Sequence, residues 1–530
     1  RGDLHAPGAA LALQGSAGPL RDARVALDGD VSLRGRQLAV RLARCSDVRV
    51  GAYVGEDAAP LARDIAARLC PAPAPLLEAD PRGWRLAARL PQLSTEAPAA
   101  KLAVAQASGA VRLSGAGGAW SGQVRIASAR LRDTSTPLRF RPLDARGAVR
   151  LDGQEAQADL DISLAQPQRP LGPLHLVQRF DTGVGGLTLE APALAFAPDA
   201  LQPAMILPAL APFGTEVKGS GAASLRLGWG KSPADATGEA RFRTGGLDFK
   251  SSAGPVKGLS TDLRIASLDP LTTAPAQRVH VQALQTLLPL TDIAAVVQLQ
   301  PAALEIASAG ATLGGGRVSL DPMRVPLRPG ATITGVAHAH DVQVAPLLAA
   351  VNLSRALKLD ARLGGVLPFS LGPDGLHFQK GQLAAEGPGR LTLVRQALTG
   401  VSADGGPAGA PPSAAQDFAF QALEDLAFTA LDARVNSQPG GRLGVLFHIK
   451  GRHDPPVGRP ARVSLIDLLK GRAFQKSIPL PKGTQVDLTL DTSLNFDDLY
   501  KAYLGLGHPA AAAPAPPAAP AAPGSAKVQP

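Results

Sequence analysis

The residues able to do chemistry fall in a few short clusters. Gly230-Lys231-Ser232 has the ending of a phosphate-binding loop, but that loop also needs a glycine at position 225, where Leu225 stands. His338-Ala339-His340 puts two imidazoles on one face of a strand, a spacing found in some metal sites. No cysteine lies near them and no third ligand is apparent, so a solvated strand face is the preferred reading. Asp497-Asp498 opens a short helix, where acids complement the helix dipole, and this outweighs a catalytic carboxylate pair. Gly314-Gly315-Gly316 suits a bulge or a close backbone approach better than a phosphate cradle. No Gly-x-Ser-x-Gly elbow occurs. The expectation is a protein that is not an enzyme and carries no metal or cofactor. Cys45 and Cys70 have no metal-site spacing; they are either a disulfide or two buried thiols.

The elements around these clusters repeat one style. Leu359, Ala361 and Leu363 alternate with Asp360 and Arg362; Leu367, Phe369 and Leu371 follow with the same period. Gly372-Pro373-Asp374-Gly375 turns the chain, and Leu376 and Phe378 alternate with His377 and Gln379. Period-two alternation bounded by Gly and Pro marks strands with one apolar and one wet face. Val149 and Leu151 precede Asp152-Gly153, and Leu160, Ile162 and Leu164 follow it, which predicts a hairpin. Turns every ~8–12 residues without long crossovers imply a mainly antiparallel, all-β fold.

Pro60 to Leu69 is the one clear helix signal, with Leu61, Ile65 and Leu69 spaced by four. It is expected to cover an open sheet end. The Pro-broken apolar segment around 198–213 predicts a short helix or a lid, and 345–351 a helical turn. The expected divisions are 1–213, 214–402, a Gly/Pro/Ala insertion at 403–416, 417–507 with a short end helix, and an Ala/Pro tail at 508–530, expected to be disordered or polyproline-like.

Composition narrows the class further. The 530 residues include 57 glycines, 48 prolines and only 4% aromatics, too few large side chains for several thick globular cores. The net charge is +10, yet the Lys and Arg are scattered singly along strands rather than clustered with aromatics, which argues against nucleic acid. No apolar run reaches the ~20 residues that span a bilayer as a helix. The chain begins at Arg1 rather than Met, so an upstream segment with a signal or anchor is expected.

Several passages, in order, carry a family resemblance. They are Ile265-Ala-Ser-Leu-Asp-Pro-Leu271, then Pro275-Ala-Gln277-Arg-Val-His-Val281, then Leu288-Pro-Leu-Thr-Asp-Ile293 with Leu313-Gly-Gly-Gly-Arg-Val318. Gly365-Val-Leu-Pro-Phe369, Gly381-Gln-Leu383, Pro388-Gly389 and the unit 418–451 continue the series. Across roughly 214–503 the chain resembles the YdbH-like branch of the AsmA-like bacterial envelope proteins. His453-Asp454-Pro455 departs from that family's usual Asn-Pro, and residues 1–213 match in style only.

The resemblance implies an elongated, curled sheet forming a continuous hydrophobic groove, taco-like, with a few short helices. It implies phospholipid transport across the periplasm of a Gram-negative bacterium, an inner-membrane helix upstream, and an outer membrane or outer-membrane protein at the far end. An older family label, dicarboxylate transport, finds no diacid site here. The alternative is an envelope scaffold whose sheet packs on itself and carries no lipid. An apolar face that is not packed away needs a ligand, and the candidates for its floor are Leu160, Ile162, Leu164, Leu304, Ile306, Leu367, Phe369, Leu371, Leu376, Phe378, Leu391, Leu393, Val486, Leu488 and Leu490.

Overall fold

The computed structural model describes residues 4–17, 19–54, 60–231, 235–251, 253–268, 270–286, 288–328, 330–350, 354, 357–373, 375–393, 421–439, 441–455 and 480–495. Within these, 31 strands and a few short helical segments make an all-β protein, and every ladder between named strands for which a register is given is antiparallel. The insertion at 403–416, the end helix at 497–504 and the tail at 508–530 lie outside the described residues.

The chain divides into two compact units, Arg1–Val342 and Gln343–Pro530. Across position 213/214, strand Gly185–Phe196 pairs directly with strand Thr215–Trp229, and the residues between form a strap.

In the first unit the chain mostly folds as a meander of long hairpins. Leu102–Ala116, Ala119–Asp133, Leu143–Asp152, Glu155–Ala165, Gln168–Arg179 and Gly185–Phe196 each pair with the next. The Asp152-Gly153 hairpin forms as its turn residues predict; Asp152 Oδ1 accepts from the N–H groups of Gln154 and Glu155 at 2.9 and 2.7 Å. Some long strands are matched by two short ones laid end to end. Gln37–Leu42 and Ser46–Val54 pair with opposite ends of Leu20–Arg34, and Gly316–Leu320 and Met323–Pro326 with opposite ends of Ala303–Leu313.

Pro60–Cys70 is a strand, not a helix. It pairs with Ser46–Val54 on one side and Gly83–Ala97 on the other. A spacing of four is a multiple of two as well as close to 3.6, so the side chains of 61, 65 and 69 can share a strand face as readily as a helix face. Two hydrogen-bonded neighbours decide between them, and Asp64 at φ 53° interrupts any helical path. Cys45 and Cys70 are disulfide-bonded and close the open end of this hairpin, beside the Ser46/Leu69 pair.

Bulges bend the strands. Asp22, Asp64, Gln106, Glu216, Asp292 and Asp341 sit at positive φ near 50–55° within or at the ends of strands, alongside Gly8 and Gly258. Two bulged amides are capped from the neighbouring strand: Gly8 N–H donates to Asp30 Oδ1 at 3.0 Å, and Gly258 N–H to Asp248 Oδ1 at 2.8 Å. An extra residue on one strand increases local twist and curls the sheet.

Candidate functional site

Antiparallel register places alternate residues of neighbouring strands in rows on one face. In the first unit one such row runs Ala88, Val111, Val124, Val149, Ala158, Leu176, Leu187, Leu227. Eight strands at about 4.8 Å each make a purely apolar strip about 34 Å long. A second row, Leu160, Leu174, Leu189, Leu225, Ala240, Ile265, lies two residues along. The opposite face carries the charges, paired across strands: Arg130 grips Asp144 through two bonds at 2.9 and 3.2 Å, and Arg226 meets Glu239 at 3.0 Å.

The apolar face has a sealed part and an open part. Ile162 and Leu164 are 3% and 0% exposed, packed with Leu171, Leu194, Phe196 and Val217. Val111, Val124, Val149, Leu176 and Leu187 are only half-buried, though they point to the same side. A strap lies over the sealed part. It contains a short helix, Pro203–Ile206, and a 3-10 turn, Pro208–Phe213, in which proline fixes the backbone and breaks any longer helix. Met205 and Ile206 pack on the sealed cluster, while Leu207, Leu210 and Phe213 are exposed.

Two polar devices hold this end. Gln202 bonds both backbone groups of Val217 and also donates to the carbonyls of Ala197 and Leu201. Asp133, whose side chain is fully buried, receives Arg139 through its guanidinium and its backbone N–H, and Ser135 through its hydroxyl. Burial alone pushes the Asp133 carboxyl up, but the bonds from Arg139 and Ser135 outweigh it and hold the group far below the usual carboxylate range. Arg141 N–H then donates to the Ile206 carbonyl at 3.2 Å, joining this loop to the strap. Sequence reasoning missed both devices, because nothing in Leu201-Gln202-Pro203 or Asp133-Thr134-Ser135 points to a partner 15 or 6 residues away.

The remaining candidates divide in the same way. Leu304 pairs with Leu299 and Val325, and Ile306 with Val297 and Met323, all in apolar rows of half-buried side chains. In the second unit Phe369 faces Phe378 and Leu371 faces Leu376 across the predicted turn. Leu367 and Phe378 pack on Ala433, Val435 and Val445, and Leu490 pairs with Phe447. Leu391 and Val486 are buried instead, in a cluster with Leu426 at 0% and Phe428 at 1% exposure. Leu393 and Leu488 pack on its margin. Leu348 of helix Val344–Ala350 and Ala422 and Leu423 of the helical turn at 421–424 belong to this cluster, so the chain's own helical segments contribute to its seal.

The chemical candidates assemble into nothing larger. His338 bonds Asp321 at 2.9 Å on the wet face. Among the described residues no group of three His, Cys, Asp or Glu could hold a metal ion. Gly314 and Gly315, at φ 55° and 80°, form the tight turn between Ala303–Leu313 and Gly316–Leu320. Gly316 is the close approach: a Cβ there would stand 2.4 Å from the Asp341 carbonyl and the Val342 nitrogen. Ser232, Asp497 and Asp498 lie outside the described residues.

Fold and site together define an all-β protein of antiparallel strands that, in the first unit, carry a partly uncovered apolar face. The chain belongs to the YdbH-like family, described as intermembrane phospholipid transport protein YdbH, which matches residues 6–465 and so takes in the N-terminal strands as well. No curated protein and no solved structure matches it. The family is one of lipid transport between membranes rather than a known enzyme family. No helix among the described residues is long and apolar enough to cross a membrane.

Proposed function

We propose that the half-buried apolar rows are a track for phospholipid acyl chains, and that the protein is a periplasmic bridge carrying phospholipid between inner and outer membrane. The observation that carries this is the row from Ala88 to Leu227, apolar at all eight positions and facing one side, with six half-buried and the small Ala88 and Ala158 buried. Moving an acyl chain into water costs about 0.8 kcal/mol per CH₂, on the order of 13 kcal/mol for sixteen carbons. A strip of Val, Leu and Ala removes most of that cost while the head group stays wet. It needs no catalytic group, no cofactor and no tight pocket, because a lipid must leave as readily as it binds. An upstream inner-membrane helix and an outer-membrane partner complete the bridge.

A scaffold without cargo is favoured by one observation, the cluster around Leu426 and Phe428 that the chain's own helical segments help to seal. The two readings separate at the open rows. Photo-crosslinking residues placed at Leu176, Leu187 or Leu376 should capture phospholipid in cells, and those at His175, Thr188 or His377 should not. Equal capture on both faces, or none on either, overturns the track.

A further inference from the structure

The bulges that bend the first unit also hollow its polar face. Register shifts at Ala191/Leu194, Ser220/Ala222, Thr244/Leu247 and Thr291/Ala294 fall on strands of one region. There the wet side holds an open depression of ≈ 1010 Å³, whose lining includes Arg243, Arg278, His280, Ser220, Ser260 and Ser308.

The charges there do not cancel. Arg241 takes the one lining carboxylate, Asp262, through Nε at 2.7 Å and through its Nη2. His280 is engaged with Asp292 at 2.9 Å. The guanidiniums of Arg243 and Arg278 make no hydrogen bond or ion pair with any described residue, and neither do the hydroxyls of Ser220, Ser260 and Ser308. Arg243 stands opposite Asp262, and the Thr261/Val279 pair sets Arg278 beside Asp262 on its other side. Arg243 also lies within electrostatic reach of Asp262, which stands between the two arginines, so positive charge exceeds negative here without Arg243 being isolated; the two guanidiniums are two strands apart, roughly 10 Å.

We propose that this depression binds an anionic, carboxylate-bearing glycan. Two planar forks match carboxylates, and the three hydroxyls between and beside them match sugar hydroxyls. The other lining side chains include Pro192, Ala193, Ala222, Ala294 and Val296. The lining has no large apolar side chain of the kind that enters a bilayer. The site lies on the face opposite the apolar rows, so it anchors the protein beside its lipid track and stands or falls independently of it.

The test is calorimetric titration of the full chain with polygalacturonate at physiological salt, about 0.15 M. Arg243→Ala/Arg278→Ala should lose roughly tenfold or more in affinity. Arg85→Ala/Arg112→Ala removes the same charge elsewhere on the wet face and should change affinity little. Thermal melts verify that both variants fold. An equal loss in the control variant, equal binding of neutral dextran, or binding of phosphatidylglycerol vesicles but not of polygalacturonate each overturns the proposal. Lipid capture at Leu176 should be the same in both double variants, which keeps this test separate from that of the track.

Discussion

The side-chain amide of Gln202 reads both backbone groups of Val217: its Oε1 accepts from the Val217 N–H at 2.8 Å and its Nε2 donates to the Val217 carbonyl at 2.8 Å. One side chain thus replaces a missing strand neighbour at the start of Thr215–Trp229 and ties the strap to the sheet. Gln202→Ala leaves these groups to water or unpaired and should cost about 2 kcal/mol. Gln202→Glu keeps the acceptor but sets a carboxylate oxygen against the carbonyls of Ala197, Leu201 and Val217, and should cost at least as much as Gln202→Ala at neutral pH. Denaturant unfolding and hydrogen exchange at 201–213 measure both; unchanged exchange in the strap contradicts the role of Gln202.

Asp133 should give the protein an acid-sensitive arm. Its folded carboxyl lies below its unfolded value of 3.8, so between the two the unfolded state binds more protons and stability rises with pH. The contribution is complete above the unfolded value and is lost as pH falls through the folded one. Asp133→Asn should lower stability by about 2 kcal/mol at neutral pH and flatten the melting temperature profile below pH about 4. A parallel, undiminished acid slope in the variant means other carboxylates carry it.

Leu164 and Leu176 share a face but not an environment. Leu164 is fully buried, and Leu164→Ala should cost about 3 kcal/mol through the cavity it leaves. Leu176 is half-buried, so Leu176→Ala should cost about 1 kcal/mol while Leu176→Asp abolishes lipid capture at neighbouring Leu187. Stability by urea unfolding and lipid by mass spectrometry of the purified chain separate the two effects. Equal stability losses at both positions would mean the open row is core after all.

Gly316 is fixed by the strand beside it. A methyl group there meets the backbone of Asp341 and Val342 at 2.4 Å, and backbone cannot swing aside. Gly316→Ala should destabilise by about 2 kcal/mol, whereas Gly314→Asn, at a turn position that asparagine tolerates, should stay within about 0.5 kcal/mol. Thermal unfolding of the two variants gives the comparison directly.

The hairpin at Asp152-Gly153, the facing pairs Phe369/Phe378 and Leu371/Leu376, and the wet placement of His338 were legible in the sequence. Each depends on alternation and turn chemistry within a few residues. The strand at Pro60–Cys70 was not, because its spacing fits both periods and only its two neighbours choose. The candidate floor was legible as a face and not as a surface: Leu164 and Leu391 alternate just as Leu176 and Leu376 do, and only packing distinguishes sealed from open.

By itself the sequence determined the all-β class, the face taken by the regularly alternating residues and the family, since these are properties of local period and of short motifs in order. The tertiary structure decided which apolar residues are covered, where bulges line up to hollow the wet face, and that Gln202 closes the strap on Val217. The physical reason is that coverage, bulge alignment and cross-strand bonds depend on which distant segments are adjacent. A period-two pattern is the same whether its neighbour is a strand, a strap or water.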